Sequence, residues 1–142
     1  MDYVNLGRTG LKVSRICLGC MTYGAPATEQ PKTGKPCVGL NERESQPFLR
    51  QALDLGINFF DTASVYSAGT SEKVLGRFLK ANTRREAVVI ATKVRGAMRD
   101  DSNGRGLSRK EIFYELDQSL LRLQTDYIDI YQIHRCDYEN TD

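Results

Sequence analysis

The chain has 142 residues, enough for one domain with a sizeable apolar core and no more. Its 20 basic and 18 acidic side chains leave a formal charge of +2, which makes no case for nucleic acid or a membrane surface as partner. The opening MDYVNLGRTG lacks the apolar core of a signal peptide and no window reaches the length of a membrane span, so a soluble cytoplasmic protein is expected.

In chain order, YVNLGRTGLKVSRI reads as a small hairpin of two short strands around Gly-Arg-Thr-Gly, followed by a strand RICLG at 15–19. A polar loop covers 20–41. Residues 42–55 then read as a helix with Phe48, Leu49, Ala52 and Leu53 on one stripe and Gly56 stopping it, while Pro47 leaves its start open. A strand INFFD (57–61) comes next. Ser71 is placed to cap a second helix whose inward face is Val74, Leu75, Phe78 and Leu79. The strand AVVIATK (87–93) is β-branched and almost uninterrupted, as a strand buried on both faces should be. After a charged loop (94–107), Ser108 and Glu111 have capping-box spacing, with Leu107 and Ile112 at the staple positions. Ile112, Phe113, Leu116, Leu120 and Leu123 carry the apolar face of a third helix to a last strand, DYIDIYQIH (126–134).

The spacing predicts four strands and three helices in alternation after the hairpin, the pattern of an α/β protein with a parallel sheet. That is about the first four βα units of a (β/α)₈ TIM barrel, a fold needing roughly 250 residues. The alternative at this length is a small doubly wound sheet, but no Gly-x-Gly-x-x-Gly follows any strand. We therefore read 1–142 as one domain, the N-terminal half of a barrel.

Three of the strands end in Asp61, Lys93 and His134, and in parallel α/β folds the C-terminal strand ends form the reactive face. By strand alternation Ile57 and Phe59 share a face with Asp61, Val89 and Ala91 with Lys93, and Ile128 and Ile130 with His134. Each set should pack the barrel interior and present its polar member at the mouth. Tyr66 follows Asp61 closely enough for a short loop to fold it back over that mouth. His134 is the one histidine of the chain, so any mechanism needing an imidazole must use it. A free phenol, with pKa about 10, donates its proton poorly at neutral pH, and an adjacent ammonium favours the phenolate. A buried lysine in turn needs a carboxylate partner, for which Asp61 is placed. Each residue alone has an ordinary structural explanation; the convergence is what suggests carbonyl chemistry.

DTASVY, the Lys closing VVIATK and the His closing YIDIYQIH resemble the aldo-keto reductases, NADP(H)-dependent enzymes on a (β/α)₈ barrel. LGRTGLKVSRICLG, ALDLGINFFDTA and SEKVLGRFLK extend the likeness over essentially the whole chain. It is similar above all to bacterial members related to potassium-channel β-subunits. The resemblance implies a catalytic tetrad of Asp61, Tyr66, Lys93 and His134. Tyr66 would be the general acid in reducing aldehydes or ketones, Lys93, held by Asp61, its neighbour, and His134 the group orienting the carbonyl. It also implies cofactor contacts at Cys20 and Met21 in GCMTYG, and at Asp61, although many relatives carry Thr-Trp where Cys20 and Met21 stand. The expected substrate is a small carbonyl or sugar-like molecule. Neither its identity nor an oligomeric state is readable.

Two rival readings use other features. Cys17, Cys20, His134 and Cys136 supply enough ligands for a tetrahedral zinc, but Cys17 and Cys20 straddle a strand end where their side chains should diverge, so free thiols and no metal are expected. The other rival is a non-catalytic, reductase-like module that senses nucleotide or docks on a partner. It is suggested by a chain about half as long as family members, without the later cofactor-binding loops.

Overall fold

The computed structural model describes residues 1–24 and 39–138. Strands β1 (Tyr3–Asn5) and β2 (Lys12–Ser14) form an antiparallel hairpin, turning through Gly7 and Gly10, both at positive φ. The hairpin closes the N-terminal end of the main sheet. Tyr3 donates its hydroxyl to the Gly56 carbonyl at 2.8 Å, and the Ser14 amide donates to Asn58 Oδ1 at 2.7 Å.

The main sheet holds β3 (Cys17–Gly19), β4 (Phe59–Asp61), β5 (Val89–Val94) and β6 (Ile130–Ile133), all parallel and in chain order. Helices α1 (Glu42–Asp54), α2 (Thr70–Asn82) and α3 (Arg109–Leu123) complete three βαβ crossovers and cover one face. On that face Phe60 and Ile90 meet Leu49 and Ala52 of α1, Val74, Leu75, Phe78 and Leu79 of α2, and Leu123 of α3. Burying a side chain such as Phe60 completely stabilises the fold by about 1.5–3 kcal/mol. Where the chain leaves β3, Tyr23 and Leu40 form a parallel bridge. The Gly24 amide donates to Leu40 O at 2.9 Å and the Leu40 amide to Thr22 O at 2.7 Å.

Several sequence expectations change. Helix α1 begins at Glu42 and runs through Pro47, because a capping box fixes its start: Asn41 Oδ1 accepts from the Glu44 amide while Glu44 Oε2 accepts from the Asn41 amide. Phe48 and Phe113 point outward, about half exposed, off the stripes on which spacing placed them. Ser71 lies inside α2, and the cap position is Gly69, at φ +89°. Ser108 does cap α3, accepting from the Glu111 amide, but Glu111 sends its carboxylate to Arg99 instead of completing the box. Strand β5 starts two residues later than expected, after a 3₁₀ turn at Arg85–Ala87, and β6 is confined to four residues. Ile57 and Ile128 belong to the helix-side core, not the interior face, because neither lies within a regular strand and alternation fails there.

The face of α3 turned inward is mostly polar. Glu111, Glu115 and Ser119 are buried with Leu123 at intervals of four, and Glu72 of α2 is buried opposite them. Arg122 bridges Glu72 (2.5 Å) and Glu115 (3.1 Å), and Arg99 holds Glu111 (2.8 Å). Buried carboxylates are tolerable only when paired in this way. Burial nevertheless pushes the Glu115 carboxyl above its ordinary range, with Arg122 opposing.

Candidate active site

The C-terminal ends of the strands bring Asp61, Lys93, Tyr66 and His134 together. Asp61 is the last residue of β4, and Lys93 stands one strand over, next to last in β5. Lys93 Nζ donates to Asp61 Oδ2 at 2.5 Å, to the Thr62 carbonyl at 2.8 Å and to Tyr66 Oη at 3.4 Å. Those three acceptors use all three ammonium protons. The Lys93 side chain is 14 % exposed and Asp61 27 %, so the pair is shielded but still opens onto the rim.

Tyr66 is held over the ammonium by an unusual backbone. After β4 the chain turns at Ala63–Tyr66, where the Tyr66 amide donates to the Ala63 carbonyl. Ser67 (φ 48°, ψ 39°) and Ala68 (φ 50°, ψ 43°) then adopt the left-handed conformation in succession, followed by Gly69. Left-handed geometry costs a non-glycine residue roughly 1–2 kcal/mol, so the packing around this turn must hold it. Part of that packing is Gly24, where a Cβ would meet Ser67 Cβ at 2.7 Å. The result folds the ring back across the strand ends, with Lys93 Nζ 4.9 Å from its centroid.

His134 follows β6 directly, its amide donating to the Val94 carbonyl at 3.1 Å. Its ring meets that of Tyr66 edge-on, centroids 5.5 Å apart at 84°. Burial, then the charges of Lys93 and Arg135, pull the imidazole pKa below its ordinary value, with Asp61 opposing. A neutral imidazole offers one ring N–H as a donor.

Of the other sequence candidates, Met21 is half exposed near the end of β3. Cys20 does not join the rim. It is fully buried in the core, with Sγ donating to the Leu18 carbonyl. Cys17 lies beside Phe59 in register, on the face that carries Asp61. Burial, then Asp61, pushes its thiol up to about 11, with Lys93 opposing. Cys17, Cys20 and Cys136 are free thiols, and no group of three metal-ligating side chains occurs among the described residues. Cys37 and most of the 20–41 loop lie outside the described residues.

Gly19 pairs with Asp61 in register, and a Cβ built there would meet nothing within 4 Å. The rim therefore keeps a side-chain-free space beside the carboxylate. A groove of about 930 Å³ lies at the other end of the strands, between α2 and α3, lined by Leu79, Val88, Ile90, Leu120 and Leu123. Its walls are mainly apolar, and none of the four converging residues lines it.

A sequence profile described as "Aldo/keto reductase family" matches residues 15–141. An uncharacterized oxidoreductase, YrpG, of Bacillus subtilis is 43 % identical, aligned over 96 % of this chain and 41 % of its own. A versiconal hemiacetal acetate reductase of Aspergillus parasiticus is 42 % identical over 98 % of this chain and 43 % of its own. Among solved structures, the holo form of the aldo-keto reductase AKR11C1 from Bacillus halodurans superposes with a TM-score of 0.79 at 33 % identity, over 99 % of this chain and 42 % of that one. The chain thus spans about two-fifths of the length of these relatives.

Proposed function

The chain belongs to the aldo/keto reductase family, its four-stranded sheet being part of that family's TIM barrel, and on that premise we propose that its rim serves NADP(H)-dependent reduction of an aldehyde or ketone to the alcohol, and the reverse. The observation that carries this reading is the Lys93 ammonium set between Asp61 Oδ2 and Tyr66 Oη with the His134 ring against the phenol. Asp61, Met21 and the open backbone at Gly19 would hold a reduced nicotinamide, which would supply hydride for the carbonyl carbon.

The residues of this chain handle the proton. Because Lys93 donates onto the phenol oxygen, the Tyr66 hydroxyl proton is free to point at a substrate oxygen in the mouth. As that proton leaves, negative charge grows on Oη, 3.4 Å from a positive charge that needs no reorganisation to meet it. Asp61 and the Thr62 carbonyl keep the ammonium from swinging away. His134, favoured as the neutral ring, donates its N–H to the same substrate oxygen and fixes which lone pair Tyr66 reaches. In the oxidative direction the phenolate takes the alcohol proton back.

The substrate class in this reading is a small organic carbonyl or a sugar-like hemiacetal, in keeping with the name of the Aspergillus relative. A cytoplasmic setting belongs to the same proposal; no helix among the described residues is long and apolar enough to cross a membrane. The test is Tyr66→Phe in the complete protein, following NADPH consumption with an aldehyde. Loss of the acid should lower kcat about 10²–10⁴-fold with little change in KM. An unchanged kcat removes Tyr66 as the acid. Nucleotide binding without turnover in the unsubstituted protein would favour the non-catalytic module instead.

A further inference from the structure

Behind the rim, on the helix side of the sheet, Glu72 is fully buried and serves neither the apolar core nor the proposed proton transfer. Its two oxygens are committed in opposite directions. Oε1 accepts from Thr92 Oγ1 at 2.6 Å, and Oε2 accepts from Arg122 Nε at 2.5 Å. Thr92 is the residue before Lys93 on β5, so the two side chains leave the strand on opposite faces. Arg122 is fixed further by Glu115 Oε2 and Ser119 Oγ, at 3.1 and 3.2 Å.

The stem of Arg122 also covers Gly69, where a Cβ would lie 2.7 Å from Arg122 Cδ. Gly69 closes the left-handed run that begins one residue after Tyr66. A continuous set of contacts therefore joins the strand that carries Lys93 to the turn that carries Tyr66. It passes through Thr92, Glu72 and Arg122 and ends at Gly69. Two further hydrogen bonds pin the same turn from the other side: Ser71 Oγ to the Cys20 carbonyl at 2.6 Å and Thr70 Oγ1 to the Ser67 carbonyl at 2.7 Å.

We propose that Glu72 and Arg122 are positioning residues for the reaction, clamping the strained Tyr66 turn to β5 so that the phenol stays within reach of the Lys93 ammonium. This rests on the functional reading above and adds two residues to it. A left-handed run of non-glycine residues does not keep its shape unaided. The 3.4 Å separation of Oη and Nζ spans two elements whose shared side-chain tie on the helix face runs through this carboxylate. A charged tie suits the task better than apolar contact would, because its hydrogen-bond directions fix distance as well as proximity.

The test is a double-mutant cycle in the complete protein. Glu72→Gln retains an acceptor for Thr92 but discharges the pair with Arg122. Thr92→Val removes the other arm and leaves the ion pair intact. Each should lower kcat about tenfold with KM for aldehyde and nucleotide nearly unchanged, and neither should lower it further in a Tyr66→Phe background. Amide hydrogen exchange gives a readout independent of turnover, and it carries the test if Glu72→Gln does not fold. In Thr92→Val the amides of Tyr66 and Ala68 should exchange about tenfold faster while those of Leu75 and Leu79 are unchanged. Uniform acceleration along the chain, or none at the turn, overturns the proposal. So does a kcat loss of equal size with and without Tyr66. If Tyr66→Phe abolishes activity while Glu72→Gln stays fully active, this inference alone fails; if Tyr66→Phe is fully active, the functional reading fails and takes this one with it.

Discussion

At the scale of single residues, His134 makes the rim sensitive to pH. Its pKa is depressed in the folded state from an ordinary 6.5, by burial first and by Lys93 and Arg135 next. Below that value the unfolded chain binds a proton that the folded one resists, so stability is full above about pH 6.5 and falls as pH drops toward the depressed value. His134→Gln should remove that contribution. The Tm of the unsubstituted protein should fall more between pH 7 and 5 than the Tm of the variant, and parallel curves would refute this. Gly76 makes a different point: a Cβ there would lie 2.4 Å from the Leu123 carbonyl oxygen, which is backbone and cannot rotate aside. Gly76→Ala should therefore cost about 1–3 kcal/mol by overpacking, outweighing the ~1 kcal/mol alanine adds in helix propensity, and the urea midpoint measures the balance. The converging residues were legible in the sequence because Asp61, Lys93 and His134 each close an apolar run, and strand direction sends such residues to one rim. Cys20 lies just past β3, where alternation no longer says which face a side chain takes, and its burial was not readable from the sequence. Glu72 was invisible as a partner of Thr92 for a plain reason: its bonds cross 20 and 50 residues of sequence.

At the scale of elements, helix α3 shows why periodicity identifies a helix more readily than its inward face. Spacing nominated Ile112, Phe113, Leu116, Leu120 and Leu123; Leu123 does point in, but the residues buried with it are Glu111, Glu115 and Ser119. Two arginines from outside that stripe, Arg99 and Arg122, pay for their burial, and a hydropathy pattern carries no record of such pairing. Strand ends were blurred for a related reason. The residues before β6 look like strand, but Asp129 leaves the ladder to cap it. Its Oδ2 accepts from the Ile90 amide at 2.8 Å and from Arg85 Nη2 at 2.6 Å. Asp129→Ala takes the side-chain acceptor from the Ile90 amide and one of the two acceptors of Arg85 Nη2, which keeps the Tyr127 carbonyl, and should destabilise the β5–β6 pairing by about 1–3 kcal/mol, read from chemical denaturation. An unchanged denaturation midpoint would mean that water replaces the carboxylate at no cost. Helix α1 is the opposite case, since Asn41 and Glu44 spell its first turn and Pro47, inside the helix, does not stop it.

At the scale of the molecule, four parallel strands leave β3 and β6 with one strand neighbour each among the described residues. Ile16 and Ile133 are more than half exposed at those edges. Taken by itself, the 142-residue chain should self-associate through these edges, and sedimentation velocity should show a mass that grows with concentration. Ile133→Lys should shift that distribution toward monomer, and a monomer at all concentrations without the substitution would contradict the expectation. The parallel order and the hairpin were readable from the alternation of strands and helices and from glycine placement, whereas among the described residues no further strand pairs with the open edges of β3 and β6. One small feature bears on how such a protein diversifies. The paired bonds between Thr22, Gly24 and Leu40 act as a clasp that holds two points of the chain, distant in sequence, together just past β3. Doubling the length of a loop closed this way adds only about 0.6 kcal/mol of entropy cost. Lengthening the connection between Gly24 and Leu40 should therefore leave the strand ends, and the side chains they carry, undisturbed.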